Sequence, residues 1–322
     1  MRRREFITLL GGTLAWPLAA RAQQTMPVVG VLQAAPLINP YLAAFHQGLA
    51  EAGFVEGRTV TIDRRSVDGQ YERLPALAAE FVRRKVAVIV ALAPVSALAA
   101  KAATTTIPIV FELGSDPVRD GLVASLARPG GNITGVTFFA NLLASKRIEV
   151  LHDIVPSASV VGLLLNPKNA NAELELSDAQ AAARALDVRF VVVRAAEDAE
   201  IDTAFAELAR QGVAALLVAG DAYLSSRRGQ IAALALRHGI ATGSGTRELA
   251  DAGALVSYGA DRREASRQCG LYVGRVLKGE KPGDLPVIQP TKFELVINLT
   301  TAKALGLTIS RELLFRADEV IE

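Results

Sequence analysis

The groups in this chain best suited to handling a small molecule are polar or turn-forming residues that directly follow apolar, β-branched runs. Gln33-Ala34-Ala35 follows Val28 to Leu32, and Ala93-Pro94-Val95-Ser96 follows Val86 to Leu92. Gly114-Ser115-Asp116-Pro117 comes after Ile107 to Phe111, Asn166-Pro167 after Val160 to Leu165, and Gly220-Asp221 after Val213 to Val218. Gly243-Ser244-Gly245-Thr246 and Tyr258 complete the set. The candidate ligand contacts are therefore Gln33, Ala34, Pro94, Ser96, Ser115, Asp116, Asn166, Asp221, Ser244 and Tyr258. Ser96 opens a helical stretch, where a hydroxyl and free backbone N–H groups hold a carboxylate or another anion. The commoner use of a serine there is as an N-cap. Asp221 either accepts an ammonium or hydroxyl from a ligand or caps the helix that follows. Asn166 and Asp116 each precede a proline and either meet a ligand or shape a turn. Tyr258 either stacks on a planar ligand or is buried with its hydroxyl satisfied.

Catalytic constellations are missing from the sequence. His46, His152 and His238 all fall in helical stretches away from these loops. No Gly-x-Gly-x-x-Gly follows the first strand run, and there is no phosphate loop and no Gly-x-Ser-x-Gly elbow. No residues stand at metal-ligand spacing, and nothing calls for a cofactor. Cys269, the only cysteine, lies in an apolar helical pattern and reads as a small core residue. The expectation is a binder and not an enzyme.

Strand-like runs alternate with Ala/Leu-rich helical patterns, as in parallel βαβ units. The first series is strand 28–32, helix 40–52, strand 59–65, helix 74–84, strand 86–92, helix 96–104, strand 107–111 and strand 133–139. A second series runs strand 160–165, helix 172–186, strand 188–193, helix 201–211, strand 213–218, helix 227–238 and strand 255–257. A long helix over 261–277, a strand over 293–299 and a short helix over 301–305 follow. The fold class is α/β: two open, doubly wound parallel-sheet lobes, with ligand expected outside the carboxyl ends of the strands. Lobe 1 is expected to hold 27–139 plus 260–284, and lobe 2 to hold 140–259 plus 285–322. The chain then crosses three times, and three crossings make a hinge around a closable cleft.

Residues 1–22 read as a cleavable export signal of the twin-arginine type. Arg2-Arg3-Arg4-Glu5-Phe6-Ile7 precedes an uncharged run from Phe6 to Ala20, and Ala20-Arg21-Ala22 offers a peptidase site. That run is too short and too broken by Gly11, Gly12 and Pro17 to span a bilayer, which takes ~20 apolar residues. The whole chain has 35 Lys+Arg and 33 Asp+Glu; without Arg2, Arg3, Arg4, Arg21 and Glu5 the balance is 31 to 32. No basic stripe remains to suit nucleic acid, a lone cysteine allows no internal disulfide, and no cysteine offers a lipid anchor behind the signal. A soluble, monomeric periplasmic protein is expected.

Several longer strings carry a family resemblance. They are Leu74-Pro75-Ala76-Leu77-Ala78-Ala79-Glu80, Ala102 to Phe111 (AATTTIPIVF), Asp116-Pro117-Val118, Arg128 to Val136 (RPGGNITGV), Ser257-Tyr258-Gly259 and Gln289 to Asn298 (QPTKFELVIN). Together they resemble the ABC-transporter substrate-binding protein family that includes tryptophan- and tyrosine-binding members, over essentially the whole chain behind the signal. The resemblance implies a type I periplasmic-binding-protein fold, a ligand held between the lobes, and delivery to a membrane permease driven by an ATPase. It also implies an amino-acid ligand, aromatic above all, with its ammonium on Asp221 and its carboxylate near Ser96. Gln33-Ala34-Ala35-Pro36 and Gly243 to Thr246 depart from the family pattern, which leaves a smaller or more polar ligand open. A sensor that presents the solute to a signalling receptor would use the same fold.

Overall fold

Strands that are apolar at nearly every position need cover on both faces, and this chain meets that need twice. The computed structural model describes residues 26–36, 39–138, 143–169, 171–289 and 292–322, so the expected export segment lies outside the described residues. In the first lobe, β1 (Val28–Gln33), β2 (Thr61–Ser66), β3 (Val88–Leu92), β4 (Ile109–Leu113) and β5 (Ile133–Thr137) form a parallel sheet in the order β2-β1-β3-β4-β5. Alternation sorts the side chains of β3. Ile89 and Ala91 face the helices α2 (Leu74–Arg83) and α3 (Pro94–Ala103), while Val88 and Val90 face α1 (Asn39–Glu51) and a helix from much later in the chain.

The second lobe is built from β6 (Val160–Leu165), β7 (Arg189–Arg194), β8 (Ala215–Val218), β9 (Ala241–Ser244), β10 (Val256–Ala260), β11 (Phe293–Asn298) and β12 (Glu319–Ile321). Their order is β12-β11-β10-β9-β8-β6-β7. One face is covered by α4 (Ala144–Ile154) and α5 (Ala172–Ala185), the other by α6 (Asp198–Arg210) and, after the short α7 (Ala222–Ser226), α8 (Arg228–Arg237). A further short helix, α9 (Arg247–Asp251), lies between β9 and β10.

The lobes exchange chain three times. β5 leads into α4, β10 leads into α10 (Arg262–Leu277) on the first lobe, and the chain returns as β11. Strand β10 runs toward the hinge and β11 away from it, so this pair is antiparallel where an all-parallel sheet was expected. α11 (Leu299–Ala304) and α12 (Arg311–Arg316) close the second lobe before β12. The expected end of the first lobe at 284 falls short: Leu285 and Val287 lie in its core and Ile288 bridges Val136. β4 sits two residues later than the apolar run alone indicates, and α4, α7, β9, α9, α12 and β12 had no counterpart in the sequence reading.

The helix α10 belongs to the first lobe because Ala265, Cys269, Tyr272, Val273 and Val276 form one helical stripe, buried with Val29, Val31, Val110 and Val136. Cys269 is thus a core residue, and burial pushes its thiol well above the usual range. Two glycines bring α10 onto α1. A Cβ on Gly48 would lie 1.8 Å from the Arg267 carbonyl oxygen, and one on Gly270 would lie 2.1 Å from that of Phe45. Overpacking of this kind costs roughly 1–3 kcal/mol or more. Gly270→Ala is therefore expected to lower the melting temperature by several degrees. Gly229→Ala, on a helix with nothing within 4 Å of the added carbon, is expected to raise it slightly, through a gain in stability of up to ~1 kcal/mol. Thermal melts of the two variants side by side check the contrast.

Candidate ligand-binding cleft

The carboxyl ends of β1, β3 and β4 face those of β6, β8 and β9 across a cleft of about 360 Å³, lined by both lobes. This is the place where open α/β sheets bind ligands. Its volume falls within the roughly 300–1,000 Å³ of small-molecule sites. Ala93, at the end of β3, has φ 90° and ψ 153°, a combination nearly confined to glycine. This strained residue turns the chain so that Leu92, Ala93 and Pro94 all border the cleft.

One wall, toward the hinge, is charged and aromatic. Glu112 of β4, Glu248 of α9 and Arg262 at the start of α10 meet there beside Tyr41 of α1 and Phe138. The Arg262 guanidinium donates from Nη1 to Glu248 Oε1 at 3.0 Å, and its Nη2 lies 3.6 Å from Glu112 Oε1. Its carbon stands 4.5 Å from the Tyr41 ring centre and 5.3 Å from that of Phe138, within cation–π range. Ser266 donates to the other Glu112 oxygen at 2.9 Å. Burial pushes the Glu112 carboxyl above the usual range, against the pull of Arg262. The Tyr41 phenol is likewise held protonated by burial.

The opposite rim joins the lobes directly. Tyr71 donates its hydroxyl proton to Asp221 Oδ2 at 2.9 Å and accepts from the Tyr223 N–H at 3.2 Å. Asp221 Oδ1 takes Asn166 Nδ2 at 3.1 Å and the Leu224 N–H at 2.9 Å, so Asp221 also caps α7. Beside them, Gly69 packs on the Tyr223 ring, where a Cβ would lie 2.7 Å from a ring carbon. Arg227 links Asp68 of the first lobe, at 3.4 Å, to Asp198 of the second, at 2.7 Å.

Behind the second lobe's wall lies a buried pair. Arg147 donates from Nε to the Tyr258 carbonyl at 2.8 Å and its Nη1 stands 4.0 Å from Glu175 Oε1. Glu175 receives the Gly220 N–H on both oxygens at 3.0 Å, which fixes the β8 end at the cleft. Gly245 lies against the Arg147 guanidinium, where a Cβ would stand 2.4 Å from Nη2 and displace it.

Of the sequence-derived candidates, Pro94, Ser115 and Asp221 line the cleft. Ser115 donates to Asp120, and the oxygens of Asp221 are engaged by Tyr71, Asn166 and Leu224. The remaining seven do not line it. Gln33 and Ala34 are buried in the first lobe. Ser96 is fully buried in α3, its hydroxyl without a hydrogen-bond partner among the described residues. Asp116 accepts from the Val118 and Arg119 N–H groups at 2.8 and 3.3 Å, as a turn aspartate does. Asn166 stands behind Asp221, and Ser244, within β9, donates to the Thr246 carbonyl. Tyr258 packs against the second lobe's core, its ring 6.3 Å from that of Phe293. Among the residues that sequence reasoning missed are Tyr41, Asp68, Glu112, Phe138, Arg227, Arg228, Glu248 and Arg262. Glu112 carried a readable signal, an acid inside the apolar string Ile109-Val110-Phe111-Glu112-Leu113.

Two open parallel-sheet lobes, three crossings and a cleft lined from both sides define a binding protein of the type I periplasmic fold. The chain belongs to the family described as ABC transporter substrate binding protein, whose model matches residues 33–321. A tyrosine-binding protein of Clostridioides difficile strain R20291 is 27% identical over 272 residues, covering 84% of this chain and 78% of that one. A solved conserved domain protein of Vibrio cholerae has a TM-score of 0.84 at 28% identity, over 92% of this chain and 100% of that one. An ABC domain from Streptococcus pneumoniae in complex with L-Trp has a TM-score of 0.83 at 24% identity, with the same coverage. The ligand-free, open structure of a Clostridium difficile substrate-binding protein with adhesive properties scores 0.64 at 24% identity, over 92% and 99% of the two chains.

Two outcomes are expected from this geometry. Tyr71→Phe leaves Asp221 Oδ2 without its donor, at a cost of roughly 1–3 kcal/mol for a buried acceptor. The variant should melt lower and show a larger radius of gyration in small-angle scattering without ligand. The second concerns Glu175, whose carboxyl burial pushes up to about 7 against the pull of Arg147 and the Gly220 amide. An unfolded glutamate titrates at about 4.3. Between these values the folded state holds the extra proton, and stability falls as pH rises. Glu175→Gln removes that titration, so its melting temperature relative to wild type should be higher at pH 8 than at pH 5.

Proposed function

We propose that the chain is an extracytoplasmic solute receptor of an ABC importer, which closes on an amino acid in the interlobe cleft and presents it to a membrane permease driven by an ATPase. The observation that carries this reading is the pairing of a small-molecule cleft with a direct lobe-to-lobe contact on its rim, Tyr71 on Asp221. A ligand that touches both walls favours the closed arrangement by its differential affinity for it, and a permease that reads lobe closure then distinguishes loaded from empty receptor. The tyrosine-binding relative and the tryptophan complex support an amino acid as the ligand. Tyr41 and Phe138 supply aromatic surface in the cleft that the strand-end loops do not. Export is supported by the basic, apolar and small-residue order of residues 1–22. The described residues form no helix long and apolar enough to cross a membrane.

Binding is tested by thermal shift on full-length protein that has been unfolded and refolded to remove any carried ligand. The panel holds the L-amino acids, their des-amino analogues, sugars, nucleosides and dicarboxylates. A ligand at 100 times its Kd adds roughly 2.7 kcal/mol, a visible displacement of the melting curve. L-tyrosine or L-tryptophan is expected to give it. A response confined to sugars or nucleosides would overturn the amino-acid reading. A dye or calorimeter is the readout, because Trp16, the only tryptophan, is not among the described residues that line the cleft.

A further inference from the structure

The hinge wall carries more negative charge than it has hydrogen bonds to hold. Glu112 and Glu248 are 3% and 6% exposed, and one oxygen of each, Glu112 Oε1 and Glu248 Oε2, has no hydrogen-bond partner among the described residues. Arg262 is the guanidinium between them, and its buried Nε also has no hydrogen-bond partner among the described residues. Nη1 bonds the other oxygen of Glu248, and the 3.6 Å from Nη2 to Glu112 Oε1 is beyond hydrogen-bond reach. The rings of Tyr41 and Phe138 hold this guanidinium in place. With both glutamates ionised, two carboxylates against one cation leave a net charge of −1 in a buried wall, a cost that shows in the raised Glu112 carboxyl, and an unpartnered buried carboxylate oxygen is itself costly. Both glutamates border the cleft, so the cleft is the direction from which a further partner can reach these covered oxygens.

We propose that Glu112 Oε1 and Glu248 Oε2 form a cation subsite, which selects ligands by a protonated amine placed between the two lobes at the hinge wall. The inference rests on the receptor reading above and assigns the ammonium to this pair; Asp221, whose oxygens are taken by Tyr71, Asn166 and Leu224, serves closure instead. A donor with three N–H groups and a full charge supplies both missing hydrogen bonds and balances the wall. Glu112 comes from the first lobe and Glu248 from the second, so an amine seated between them draws the lobes together. A ligand without the amine would leave both oxygens stranded, and polar groups left unpaired in this way discriminate strongly.

The test uses the full-length refolded protein with Glu112→Gln, Glu248→Gln and, as a control for lost charge, Glu149→Gln on the exposed face of α4. Calorimetry is run with L-tyrosine, L-tryptophan, tyramine and tryptamine, with the des-amino acids 3-(4-hydroxyphenyl)propionate and indole-3-propionate, and with any other hit of the panel. The expected result is that amines bind, that the des-amino acids bind at least ~10-fold more weakly, and that each cleft variant loses at least ~10-fold, the scale of one charge-assisted hydrogen bond. The control should bind as wild type does. If an amino acid binds wild type and both cleft variants equally, the subsite is overturned and the receptor reading stands. If the tightest hit has no cationic nitrogen, the subsite is overturned and only the ligand class of the receptor changes. If nothing in the panel binds refolded protein, both fall together.

Discussion

A carboxylate removed from water must find donors, and for Asp221 they come from three directions. One is the first turn of its own helix α7, one is Asn166 at the end of β6, and the third is Tyr71 of the other lobe. The first two make the second lobe's rim rigid without any help. The third makes the rim complete only when the lobes touch. The adjoining features follow from that contact: the Tyr223 ring can lie on the backbone of Gly69 because residue 69 has no side chain, and Arg227 can reach Asp68. Closure is thus written into groups at the rim, while the interior wall remains free to set which ligand is admitted.

The two walls also differ in how they treat charge. At the rim every oxygen of Asp221 has its donor. In the second lobe's interior, Glu175 is partnered through the Gly220 amide and faced by Arg147. At the hinge wall Arg262 bonds one glutamate, approaches another and is flanked by two rings. Buried ion pairs rarely add much stability on their own, and breaking one leaves an uncompensated charge. Their positions here serve geometry instead: Glu175 holds a strand end in register with the cleft, and Arg262 ties the start of α10 to both lobes.

The lobes were legible in the sequence because a doubly covered parallel strand reads as an unbroken apolar run, as Val160 to Leu165 and Val213 to Val218 do. The hinge was legible from a long helix and a late strand with no partner nearby in sequence. The site was only partly so. Pro94, Ser115 and Asp221 lie where strand ends place them. Tyr41, Glu248 and Arg262, however, reach the cleft from helices, and Glu112 reaches it from inside a strand. Starting β4 two residues early put Glu112 outside the run and hid its oddity. Tyr71 and Asp221 are 150 positions apart, a separation at which no spacing rule applies. Short elements such as α7, α9 and β12 have too few residues to display a period at all.

The crossings carry a consequence for how the chain reaches this state. The face of the first sheet that bears Val29, Val31, Val88 and Val90 is covered partly by α10, and Leu285 seals its edge. More than 120 residues separate the end of β5 from the start of α10. During synthesis the first lobe therefore waits, with the part of this sheet face that α1 does not cover left bare, until nearly the whole of the second has been made. Such long-range closure slows folding and leaves intermediates prone to association. A chaperone that recognises exposed valine-rich surface would find its longest opportunity here, between the emergence of Thr137 and that of Leu277.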